Sequence, residues 1–89
     1  MRDRERSIAE LRAEGLDVTE WRDESGVSYA EHAHPQREVR IVLDGTITFL
    51  VDGEEIPLGP GDRLELAPMQ VHAATVGPDG AHYLAGTDR

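Results

Sequence analysis

The chain has 89 residues, 9 arginines against 18 acidic side chains, a formal net charge of −9, and no lysine, asparagine or cysteine. That excludes disulfides, thiolate nucleophiles, zinc knuckles, iron-sulfur clusters and lysine Schiff bases, and an acidic chain with no basic stripe is not a nucleic-acid binder. So short a chain buries only about 60% of its unfolded surface, which excludes a second core and favours a homodimer; without a signal peptide or apolar span it is expected in the cytoplasm, away from membranes.

The first element is a short helix over 7–14. Ser7 and Glu10 make a Ser-x-x-Glu capping box, Ile8 and Leu11 share a face, and Gly15 offers a left-handed stop. Two turns cannot hold themselves together, so the helix must dock, and Arg2 to Arg6 read as its frayed, solvated end. From Leu16 onward the period becomes alternating, with turn signals every eight to ten residues or so, as in an all-β barrel or sandwich. Strands are expected over 16–22, 27–34, 38–43, 46–51, 54–58, 63–67, 71–76 and 81–85. The connections are Asp23-Glu24-Ser25-Gly26, Asp44-Gly45, Asp52-Gly53, Gly59-Pro60-Gly61-Asp62 and Gly77-Pro78-Asp79-Gly80. Asp-Gly is a strong two-residue hairpin signal, and two in succession predict a meander. The division is an N-terminal helix and arm over 1–15 followed by a β-barrel domain over 16–89.

Chemistry concentrates in the second strand. His32 and His34 are two residues apart, hence on one face by strand alternation, and Ser28 and Ala30 fall on that same face. Two small residues followed by two imidazoles leave space beside metal-ligand candidates. Glu38, at the start of the next strand, supplies an oxygen donor.

Gly26, His32, His34, Glu38 and Gly45 reproduce the first cupin motif, Gly-x5-His-x-His-x3-Glu-x6-Gly, without a gap. The second motif is kept in part. Gly61 and His72 hold their places, while Ala67, Met69 and Val76 stand where proline, glycine and asparagine are expected and Pro68 sits one place late. The chain therefore resembles a small cupin over roughly Leu16 to Ala85. The resemblance implies a jelly-roll β-barrel, often dimeric, in which His32, His34, Glu38 and His72 hold one divalent transition-metal ion. Iron, manganese, nickel, cobalt, copper and zinc are all compatible with imidazole and carboxylate donors.

Other residues offer themselves around that site. Arg40 follows Glu38 by two and points the same way. It reads either as a clamp for a carboxylate or enolate ligand or, as the default, as the partner of an acidic neighbour such as Glu65 or a side chain leaving through the barrel mouth. Arg63 and Glu65 read as a cross-strand charge pair. Tyr29 and Met69 are the further substrate-binding candidates, with Gln70 beside Met69 at the pocket entrance. Tyr83, like Tyr29, offers a hydroxyl to the pocket but by default packs; Trp21 and Phe49 read as core or dimer-interface residues, and His82, outside both motifs, is the reserve ligand. The expected function is a metal-binding protein that acts on, or binds, a small oxygen-rich molecule. With iron the chemistry would be of the dioxygenase type, and with manganese, nickel or zinc it would be Lewis-acid isomerisation. The alternative is a non-catalytic ligand-binding or sensor module.

Overall fold

A computed structural model describes residues 3–89. One helix, α1 (Arg4–Ala13), precedes six strands: β1 (Leu16–Asp23), β2 (Ser28–His32), β3 (Glu38–Val51), β4 (Glu54–Leu58), β5 (Arg63–Leu66) and β6 (His72–Asp88). The expected all-β barrel is present, but two of the expected strand breaks are not. Asp44-Gly45 is not a hairpin, and Gly77-Pro78-Asp79-Gly80 does not end a strand. Each segment runs on as one bent strand, β3 or β6, and the two pair antiparallel along almost their whole length.

The bends create two faces. The first half of β3 and the second half of β6 lie between β5 and β1, while the second half of β3 and the first half of β6 lie between β4 and β2. The result is two four-stranded sheets joined through shared strands, the double-sheet arrangement of a jelly roll. The pairing of β3 with β6 shifts register on both sides of the corner, between Val42 and Asp44 and again between Gly45 and Ile47. Gly45 has φ 73°, and a Cβ there would collide with the Gly80 carbonyl across the corner. The Asp52-Gly53 hairpin forms as expected, with φ of 50° and 84° suiting a type I′ turn.

Alternation along β3 and β6 sorts the interior. Val42, Ile47, Phe49, Val51, Ala74, Val76 and Tyr83 face the space between the sheets, where Leu58 and Leu66 complete the core. Val39, Ile41, Leu43 and Leu84 face the other way and pack with Leu16 against Leu11 of the helix. Helix α1 is thus the lid of the first sheet's outer surface. Its N-cap is Asp3, whose carboxylate accepts from the Glu5 N–H at 2.9 Å, not Ser7. Ser7 is buried inside the helix with its hydroxyl unpartnered. Of the end expected to fray, Arg4 to Arg6 are helical, and Arg2 lies outside the described residues. Among the described residues no helix is long and apolar enough to cross a membrane.

Candidate metal centre

The imidazoles meet where one sheet ends and the other begins. His32 closes β2 and pairs with His72, the first residue of β6, while His34 lies in the loop leading to Glu38 and β3. A β-bulge between Tyr29 and His32 decides which side chains enter. It places three residues of β2 opposite two of β6, so that Tyr29 and His32 both face inward, and Ser28 and Ala30 are exposed. The small residues that open the space are instead Ala74 and Ala85 of β6. Strict alternation over 28–34 fails because it cannot anticipate an inserted residue.

The ligand nitrogens of His32, His34 and His72 lie within 4.8 Å of one another. Two donors on opposite sides of one ion, each about 2.1 Å from it, are about 4.2 Å apart, so small movements suffice to bring the three onto one cation. The His72 ring nitrogen Nδ1 lies 2.9 Å from the Gln70 carbonyl, and that of His32 lies 2.6 Å from the Ala30 carbonyl. Each Nδ1–H donates to its carbonyl, which leaves Nε2 as the lone-pair atom, the usual outer support of a metal-bound histidine. His72 Nε2 is buried and has no hydrogen-bond partner. Burial holds the His72 imidazole below its ordinary pKa, so the lone pair is free at neutral pH. This donor set fits a divalent transition metal.

Glu38 stands next to the trio rather than within it. Its carboxylate is buried, with Oε2 3.6 Å from His34 Nδ1 and Oε1 accepting from Arg40 Nη2 at 2.7 Å. The expected pairing of Arg40 with an acidic neighbour therefore holds with a different partner, because Glu65 faces away from the cavity and is taken by Arg37 at 2.9 Å. Arg63 is likewise drawn to Glu10 and Glu14 of the helix, at 2.6 and 2.7 Å, and reaches Glu65 only at 3.8 Å.

The cavity beside the cluster holds about 310 Å³ and is lined by Tyr29, Arg40, Ile47, Phe49 and Ala74 among others. Tyr29 and Tyr83 both donate to Asp23 Oδ2 at 2.7 Å. Burial first, and then the bond to Asp23, push both hydroxyls above the usual phenol range, Tyr83 the further of the two, so both stay protonated at neutral pH. Met69 does not line the cavity. Its side chain is 64% exposed, and it contributes a backbone N–H to the His34 carbonyl at 2.6 Å. Gln70 is not at the entrance either: its side chain bonds Ala67 N–H and Asp52, bracing the loop that carries His72. Tyr83 does line the cavity, and so do Thr19, Trp21 and Thr87, which the sequence did not single out as pocket residues. Alternation places Trp21 with Thr19 on β1, and Tyr83 with Ala85 and Thr87 on β6, so only the facing direction was missing. His82 points elsewhere, 2.6 Å from Glu20.

The family described as cupin domain matches residues 20–85. Comparison with curated proteins returns no match. Among solved structures the chain is similar to KdgF from Halomonas sp., with TM-score 0.74 and 22% identity over 84% of this chain and 70% of that one. It is similar also to an RmlC-like cupin from Shewanella frigidimarina NCIMB 400, with TM-score 0.75 and 25% identity over 84% and 68%. DMSP lyase DddQ from Ruegeria pomeroyi DSS-3 gives TM-score 0.77 and 26% identity over 84% of this chain, which spans 39% of the lyase. At 22% identity the first of these is a likeness of fold alone.

Proposed function

The chain belongs to the cupin domain family, and we propose that in this member His32, His34, His72 and Glu38 hold one divalent transition-metal ion beside a pocket for a small oxygen-rich molecule. The observation that carries the reading is His72 Nε2, a buried lone pair with no hydrogen-bond partner among the described residues and two further imidazoles around it. A buried polar atom without a partner is costly, and a cation removes that cost. Glu38 Oε2, the oxygen not engaged by Arg40, is the fourth donor.

When bound, such an ion supplies Lewis-acid polarisation or oxygen activation according to its identity. The chain's own groups do the rest. Ala30 and Gln70 carbonyls fix two imidazole tautomers. Ile47, Phe49 and Ala74 keep the inner wall apolar, and Tyr29 holds its proton toward Asp23. A cavity of about 310 Å³ is at the small end of ligand pockets, roughly 300 to 1,000 Å³. A homodimer belongs to the same reading, supported by exposed Leu50 and Val71.

The test is metal content. Protein purified without a histidine tag is expected to carry close to one ion per chain by mass spectrometry. His32→Ala, Glu38→Ala and His72→Ala are each expected to weaken retention by more than the roughly 10- to 100-fold typical of losing an outer partner. A folded wild-type chain that retains no ion after incubation with iron, manganese, nickel, cobalt, copper or zinc salts overturns the reading.

A further inference from the structure

Arg40 is the cationic side chain in the cavity wall, and one end of it is left over from its bond to Glu38. Its side chain is 13% exposed, and a guanidinium carries five N–H donors. Nη2 donates to Glu38, whereas Nη1 is buried without a hydrogen-bond partner. Arg37 and Arg63 are held by carboxylates on the outer surface, which leaves Arg40 as the arginine that lines the cavity. Across the sheet it faces Ala85, also in the cavity wall, and an alanine there leaves the space beside the guanidinium unfilled. Glu38 is the one carboxylate among the lining residues, and Arg40 already neutralises it.

The charge count points the same way. Glu38 and Arg40 cancel, and imidazoles that ligate a metal are neutral, so a bound divalent ion would leave this partly desolvated space at about +2, which calls for a negative ligand. We infer that the cavity selects a small carboxylate able to present a second oxygen to the ion, a 2-oxo or 2-hydroxy acid, with Arg40 as the specificity-determining residue. The second oxygen rests on the metal reading above; the preference for an anion rests on Arg40 itself. A carboxylate gives Arg40 Nη1 the acceptor that no described residue supplies.

The matched probes are pyruvate and butane-2,3-dione, which share a dicarbonyl and differ in the carboxylate. Binding is followed by NMR through the indole N–H of Trp21, the chain's single tryptophan and part of the cavity lining. Zinc-loaded wild type is expected to prefer pyruvate by roughly 30-fold or more. Arg40→Met, compared with wild type at matched zinc occupancy because it also loses the Arg40 bond to Glu38, is expected to reduce that preference by a comparable factor while dione binding stays unchanged. Arg40→Lys, which keeps the charge and loses the fork, is expected to fall between the two. Equal preference in wild type and a zinc-retaining Arg40→Met overturns the inference, as does a wild type that binds neither probe. Should wild type take up no zinc, another of the six ions that it retains takes its place; should it retain none, the metal reading fails on its own, and the same comparison on metal-free protein still decides the role of Arg40. Should Arg40→Met fail to fold, Arg40→Gln and Arg40→Lys carry the comparison.

Discussion

Met69 occupies the position where the second cupin motif has glycine, and its backbone takes φ 62°. The left-handed region costs a residue with a Cβ about 1 to 2 kcal/mol, and glycine returns part of that as unfolded-state entropy. The side chain is mostly exposed, so its removal sacrifices little packing. Met69→Gly is therefore expected to stabilise the protein by about 0.5 to 1 kcal/mol, read as a rise of a few degrees in Tm. Despite the motif departure the loop keeps its conformation: methionine adopts the glycine conformation, and its N–H ties the loop to His34. At this scale residue type and spacing were legible, since three of the four metal candidates converge. The direction of Arg40 was legible too, because Glu38 and Arg40 share a strand face. Its partner was not, because which carboxylate is in reach depends on how Arg37 and the helix occupy the others.

Helix α1 is fastened by charge as well as by Leu11. Glu14 bonds Arg63 at 2.7 Å and Arg37 at 2.9 Å, and Arg63 also holds Glu10. Arg63, and then Arg37, hold the Glu14 carboxyl at about 2, below its ordinary 4.5. A carboxyl with a lowered folded pKa stabilises above the ordinary value, and that contribution is lost as the pH falls from 4.5 through 2. The side chain is 31% exposed, so screening keeps the effect to about 1 kcal/mol or less. A Tm series is expected to show Glu14→Gln below wild type at pH 7 and the gap closing as the pH falls to 2; a gap independent of pH contradicts the assignment. The elements themselves were partly legible. Asp52-Gly53 makes its hairpin because β3 and β4 pair immediately on either side of it. The same dipeptide at 44–45 does not, because its flanks find partners in β6, with Asp44 opposite His82 and Gly45 opposite Ala81. Turn chemistry is local, whereas the choice of partner strand is made by distant residues. Helix existence was readable from Ile8 and Leu11, but its start was set by Asp3, since Ser7 lies on the face that docks.

For the whole molecule the decisive feature is that β3 and β6 each belong to both sheets. Neither sheet can open without pulling apart strands that complete the other, so unfolding is expected to be a single transition. Trp21 reports the first sheet, and far-UV circular dichroism reports both. In urea the two curves should superimpose, and a Trp21 transition at clearly lower urea would show that the first sheet opens independently. The all-β class and the barrel were legible in the alternation and the turns, but the sharing of strands was not, because a bend and a break look alike in a local pattern. The pairing also sets an order of events. Among the described residues, β1 and β2 each have one backbone pairing partner, β6, which follows them late in the sequence. While the chain is still emerging from the ribosome, its first two strands have no one to pair with, and residues 16–32 must wait for residues 72–88. Folding therefore begins late and is governed by distant contacts, a slow class of reaction in which a half-made chain exposes sticky strands. Helper proteins at the ribosome exit would meet this chain as an acidic hairpin with two unclaimed arms.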